Sequence, residues 1–130
     1  MSQDGTRVIL IDSDASVRRA LCRLFASAGF GGEAYATGRE FLAGTADLRE
    51  TCIVADTRLP DIGILDLMRL AGQRQVGLPF ILLTSEEDED TRRRARSAGA
   101  AAFFRKPIDA EALLDSIRWA LHSPFPVAAP

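Results

Sequence analysis

The chain has a single histidine, two cysteines, one tryptophan and one tyrosine among 130 residues. His122 stands near the C-terminal end without a partner, which argues against histidine-based catalysis. No cysteine–histidine cluster has zinc-ligand spacing. Cys22 and Cys52 fall in a helical and a strand pattern, and read as two buried free thiols of a cytosolic protein. No early apolar run resembles a signal peptide, no segment approaches the length of a membrane span, and no internal repeat is visible. A net charge of −2 implies neither nucleic acid nor a membrane surface as a direct partner. With 47% hydrophobic and 26% charged residues, the composition is that of one soluble domain able to bury a core.

What is present alternates. Arg7–Ile11, Cys52–Ala55 and Pro79–Thr84 are near-continuous apolar runs of strand length, as expected for strands buried on both faces. Gly31–Ala36 has little apolar content and reads as an edge strand; Ala101–Arg105 is a fifth. Between them lie helical patterns. Asp14 is an N-cap for a helix with Val17, Ala20, Leu21, Leu24, Phe25 and Ala28 on one face, ended by Gly29. Thr37-Gly38-Arg39-Glu40 is a capping box opening a short helix through Ala46. A third helix runs from about Ile64 to Gln73. The fourth, Glu86 to Ala98, is charged nearly all round, with Ala95 and Ala98 left to face a core and Gly99 as its stop. The last starts at Asp109 and buries Leu113, Leu114, Ile117, Ala120 and Leu121. Five strands alternating with five helices predict an α/β fold with a parallel sheet, as a domain over residues 1–122; the Pro-rich 123–130 reads as a tail or the start of a linker.

Right-handed crossovers bring all parallel strand ends to one rim, where open α/β folds bind ligands. Asp12, Asp56, Thr84 and Lys106 each stand at the carboxyl end of a different strand. Carboxylates gathered at one rim repel unless a positive charge joins them. Oxygen-only ligands favour a hard cation such as magnesium. A lysine and a hydroxyl suit phosphoryl oxygens. The set as a whole suits transfer of a phosphoryl group to a carboxylate.

These residues resemble the receiver domain of two-component response regulators. The resemblance runs from Arg7 to about Leu121 and is carried by Ile11-Asp12-Ser13-Asp14, Asp56-Thr57-Arg58-Leu59-Pro60, Leu83-Thr84-Ser85, Ala98-Gly99-Ala100 and Arg105-Lys106-Pro107. The local style is similar to receivers that precede a helix-turn-helix output domain. The resemblance implies a doubly wound, flavodoxin-like sheet of order 2-1-3-4-5. It implies Asp56 as the phosphoacceptor, phosphorylated by a sensor histidine kinase with Mg2+ as cofactor. Asp12 and the main-chain carbonyl of Arg58 would hold the metal with Asp56, and Ser13 or Asp14 would be a further ligand. Thr84 and Lys106 would bind phosphoryl oxygens, and Thr84 and Phe103 would form a switch. It also implies a cytoplasmic location and an output domain or partner, with transcription as the controlled process.

Two departures stand out. Ser13 takes the second place of the family's acidic pair, which removes a charge, and Ile64 stands where the family often has glycine, with Gly63 just before it. They keep open a pseudo-receiver that signals without phosphorylation. A different class is represented by Asp12-Ser13-Asp14, which also resembles the nucleophile motif of haloacid-dehalogenase phosphohydrolases. That enzyme would need a later acidic pair and would leave Asp56 without a role. Arg58 and Glu86, two residues beyond Asp56 and Thr84, are expected over the site mouth as modulators of phosphoryl loss. Arg92, Arg93, Arg94 and Arg96 read as a solvated face, because Asp88, Glu89 and Asp90 each stand four residues before an arginine. Trp119 lies off the apolar stripe of the last helix and is a candidate partner surface. The face made by the fourth helix, fifth strand and fifth helix is the expected homodimer face.

Overall fold

The structure, a computed structural model, describes residues 6–44, 47–85 and 89–122. The strands are β1 (Arg7–Ile11), β2 (Gly31–Tyr35), β3 (Thr51–Asp56), β4 (Phe80–Thr84) and β5 (Ala100–Arg105). The helices are α1 (Ala15–Ser27), α2 (Gly38–Gly44), α3 (Ile64–Arg74), α4 (Glu89–Ser97) and α5 (Ala110–His122). All strand pairs are parallel, in the order β2-β1-β3-β4-β5, so the doubly wound flavodoxin-like fold expected from the sequence is the fold observed.

Period-two alternation along the central strands sorts the core into two halves. Ile9, Ile11, Ile53, Ala55, Phe80 and Leu82 point to the face covered by α2, α3 and α4. Val8, Leu10, Cys52, Val54, Ile81 and Leu83 point to the face covered by α1 and α5. Burial on both faces explains why β1, β3 and β4 are apolar without a polar alternate. β2, at the sheet edge, keeps its first three residues exposed. Its Gly32 is a requirement of close approach: a Cβ there would lie 1.9 Å from the Val8 carbonyl oxygen.

Most predicted caps are observed. Asp14 accepts from the amides of Ser16 and Val17 at 2.8 and 3.3 Å, and Asp109 accepts from Ala112 at 3.0 Å. Three expected core residues are instead exposed: Ala20, Cys22 and Ala98. On α1 the buried ridge is Leu21 and Phe25, and Ala20 and Cys22 each sit one residue, about 100° of turn, to either side of Leu21. Ala98 lies one residue past the end of α4, so Ala95 is the buried anchor of that helix. Cys52 is buried as expected, and burial pushes its thiol up to about 12, which makes it inert. The polar N-terminal tail, Ala46, Glu86, Asp88 and the Pro-rich stretch lie outside the described residues.

Gly72 is inside α3, and a Cβ there would meet nothing within 4 Å. Glycine in a helix costs about 0.5–1 kcal/mol relative to alanine. Gly72→Ala is therefore expected to raise the urea midpoint by that amount of stability with an unchanged m-value, measured by circular dichroism.

Candidate functional site

In-register parallel pairing assembles the site. Ile11 pairs with Ala55, which sets the next residues, Asp12 and Asp56, side by side. Thr84 pairs with Arg105, which sets Lys106 just beyond the adjacent strand end. The Lys106 amide donates to the Thr84 carbonyl at 2.8 Å and the Thr57 amide to that of Leu83 at 2.9 Å, so the ladder continues into the loops. All four strand-end residues meet on one rim, as the sequence reading expected.

The centre is an ammonium between two carboxylates. Lys106 Nζ donates to Asp56 Oδ2 at 2.7 Å and to Asp12 Oδ2 at 3.0 Å. Asp12 is fully buried and Asp56 is 8% exposed, so each needs its charge compensated. Backbone amides supply the other oxygens: Asp14 donates to Asp12 Oδ1 at 2.9 Å, and Arg58 to Asp56 Oδ1 at 2.7 Å. Burial alone would lower the Lys106 ammonium, but the bonds to Asp56 and Asp12 outweigh it and hold the group above the ordinary lysine value. A raised folded-state value means this contribution to stability is intact below the ordinary 10.5 and is lost only as pH climbs through the higher folded value. The lysine therefore stays charged across the physiological range.

The expected metal ligands separate into two groups. Asp12, Asp56 and the backbone of Arg58 lie together, whereas Ser13 and Asp14 are exposed. Asp14 Oδ1 is engaged on the first turn of α1. Among the described residues, no three acidic, imidazole or thiol side chains converge as a metal cluster. The geometry also undercuts the Asp-x-Asp hydrolase reading, because the second aspartate of that motif is a helix cap rather than a partner of Asp12 in the site.

Beside the acids lies a cavity of about 500 Å³ whose lining includes Thr57, Arg58, Thr84, Thr91, Arg92 and Phe103. The half-buried Phe103 ring has the guanidinium carbons of Arg92 and Arg96 at 5.6 and 5.7 Å from its centroid, within cation–π range. Arg92 and Arg96, expected on a solvated face, instead share a surface with the expected switch aromatic. Asp90 does pair with Arg94 at 3.1 Å. Sequence reading also missed Arg18, whose Nη1 donates to the Asp12 carbonyl at 2.7 Å. It missed Asp61 too, whose carboxylate accepts from the amides of Gly38 and Arg39. The only signal for Arg18 was its place one turn into a helix that starts at the site; nothing in the sequence links Asp61 to α2. Glu86 lies outside the described residues.

Comparisons with known proteins agree with this geometry. The profile of the response regulator receiver domain matches residues 8–118. Nodulation protein W of Bradyrhizobium diazoefficiens is 34% identical over 85% of this chain and 48% of its own length. The transcriptional regulatory protein FixJ of Rhizobium meliloti is 29% identical over 85% of this chain and 54% of its own. The chain thus spans about half the length of these curated relatives. Among solved structures, the beryllofluoride-activated NtrC4 receiver domain dimer superposes with a TM-score of 0.82 at 25% identity, covering 88% of this chain and 95% of that one. Among the described residues, no helix is long and apolar enough to cross a membrane. A profile match over most of the chain, on the 2-1-3-4-5 sheet and with Asp12, Asp56, Thr84 and Lys106 on one rim, shows that the chain belongs to the response regulator receiver domain family, a signalling domain of two-component systems.

Proposed function

We propose that Asp56 accepts a phosphoryl group from the phosphohistidine of a sensor kinase, in the cytoplasm, and that the change controls an output domain or partner in transcription. The observation that carries this reading is the Lys106 ammonium bound to both Asp12 and Asp56. A carboxylate oxygen of Asp56 attacks phosphorus, and the phosphorus–nitrogen bond breaks with its electron pair going to the leaving imidazole. Lys106 and the Thr84 hydroxyl then receive the phosphoryl oxygens. The lysine exchanges one anionic partner for another and keeps its charge throughout.

The donor set fits a hard divalent cation: two carboxylates and nearby carbonyl and hydroxyl oxygens, with no soft ligand. Asp12, Asp56 and the Arg58 carbonyl would hold magnesium, with Ser13 or Asp14 as the further ligand. When bound it supplies charge neutralisation for the phosphoryl oxygens. Ser13 leaves this site one charge poorer than an acidic pair would. The pseudo-receiver remains the second reading, favoured by the departures at Ser13 and Ile64. Arg58, exposed and among the residues lining the cavity, would slow water attack on the acyl phosphate.

Output is proposed to pass through α4, β5 and α5. Ala95 is the one buried residue of α4, acids stand in its first turn and arginines in its last, and Trp119 on α5 is 61% exposed. A two-fold axis can set each charged patch against its opposite on a second copy, and the NtrC4 receiver named above is a dimer when activated.

Three outcomes test these readings. Incubated with a small acyl phosphate and magnesium, the chain should carry phosphate on the peptide containing Asp56, and Asp56→Asn should lose at least ~90% of it; labelling at the wild-type rate in the variant overturns the assignment. Ser13→Asp should tighten magnesium binding by about tenfold in a calorimetric titration, because ligand charge count tunes such sites. Sedimentation with beryllofluoride should show a dimer that Arg92→Glu weakens; a loaded monomer, or a dimer indifferent to the variant, rules this face out.

A further inference from the structure

We propose that Asp61 is a positioning residue for the Asp56 site: it clasps the loop between β3 and α3 to the N-terminus of α2, and so fixes the Arg58 backbone that holds Asp56. This inference rests on the reading of Asp56 as the phosphoacceptor.

α2 already has a complete capping box of its own. Thr37 Oγ1 accepts from the Glu40 amide at 3.1 Å, and Glu40 Oε1 accepts from the amides of Ala36 and Thr37 at 3.1 and 3.2 Å. A box of this kind leaves the amides of the first two helical residues unserved. Those two amides are the ones Asp61 takes, from 22 and 23 residues away: Gly38 donates to Oδ1 at 3.2 Å and Arg39 to Oδ2 at 2.8 Å. The Arg39 side chain adds an ion pair at 3.9 Å. Packing closes the same joint. Gly38 is buried, and a Cβ on it would lie 2.4 Å from Ile62 Cγ2 and 3.7 Å from Leu59 Cδ1. α2 is in turn fixed to the core through Phe41, which is fully buried and meets Tyr35 edge-on at 6.0 Å.

The loop is therefore pinned at two points, with Arg58 on Asp56 Oδ1 and Asp61 on α2. Only Leu59 and Pro60 separate them, and the proline ring fixes its own φ. A span that short transmits the position of Asp61 to the Arg58 amide and carbonyl. A cap that merely stabilised α2 would have no such reach.

The experiment compares Asp61→Ala, Asp61→Asn and Ile117→Val in the full chain. Ile117→Val removes one buried methylene on α5, remote from the loop, and serves as the control for lost stability. In metal-free protein, exchange of the Arg58 amide followed by NMR should quicken at least ~10-fold in Asp61→Ala beyond any change in Ile117→Val. Magnesium affinity should fall several-fold in Asp61→Ala and hold in the control. Asp61→Asn, which keeps one acceptor oxygen, should recover part of both. Arg58 exchange and magnesium affinity in Asp61→Ala equal to those of Ile117→Val would make Asp61 a helix cap only and overturn the proposal. Absence of label on wild-type Asp56 would instead defeat the phosphoacceptor reading, while the metal-free exchange still decides the clasp.

Discussion

One ammonium between two buried carboxylates is the constraint to which the rest of this molecule answers. Two aspartates at adjacent strand ends repel each other, and neither is solvated well enough to stand alone. Lys106 resolves the conflict from the far side of the sheet, across 94 residues from Asp12 and 50 from Asp56. That contact requires β1, β3, β4 and β5 to end level with one another. A slip of one residue in any pairing would turn the charged ends toward a core face. The core and the site are thus two consequences of one register.

The two walls of the site differ in how firmly they are held. On one side, the loop after β3 is bonded to Asp56, seated against α2 and followed by α3, which buries Ile64, Leu67, Met68 and Ala71. On the other, α4 is tied down by Ala95, by ion pairs at its surface and by arginine contacts to Phe103. Exposed ion pairs contribute little, typically below about 1 kcal/mol. The rim therefore lies between a firmly held wall and a lightly held one. The cavity lies between the two, lined by Thr57 and Arg58 from the first wall, by Thr91 and Arg92 from the second, and by Thr84 and Phe103.

The sheet and its four strand-end residues were legible because they obey local rules. A doubly buried strand is apolar until its end, so the first polar residue marks the rim. Caps at Asp14, Thr37 and Asp109 were equally local. The reading failed where a residue's type did not decide its direction: Ala20 and Cys22 are small enough for either side of α1, and Ala98 fits a helix end as well as a helix face. It also missed what depends on pairs remote in sequence. Asp61 carries no mark of its bond to α2. Arg92 and Arg96 form a plausible solvated run until β5 brings Phe103 beneath them.

The lone tryptophan has a consequence for how the chain can be watched. Trp119 is 61% exposed on the outer side of α5, beside Ala101 and Ala102 rather than near the acids. Its indole already sees mostly water in the native state, so its emission has little room to shift when the chain unfolds. The same exposure means that any surface covering the indole would change its emission. Optically, the indole is a better reporter of its immediate cover than of the fold's integrity.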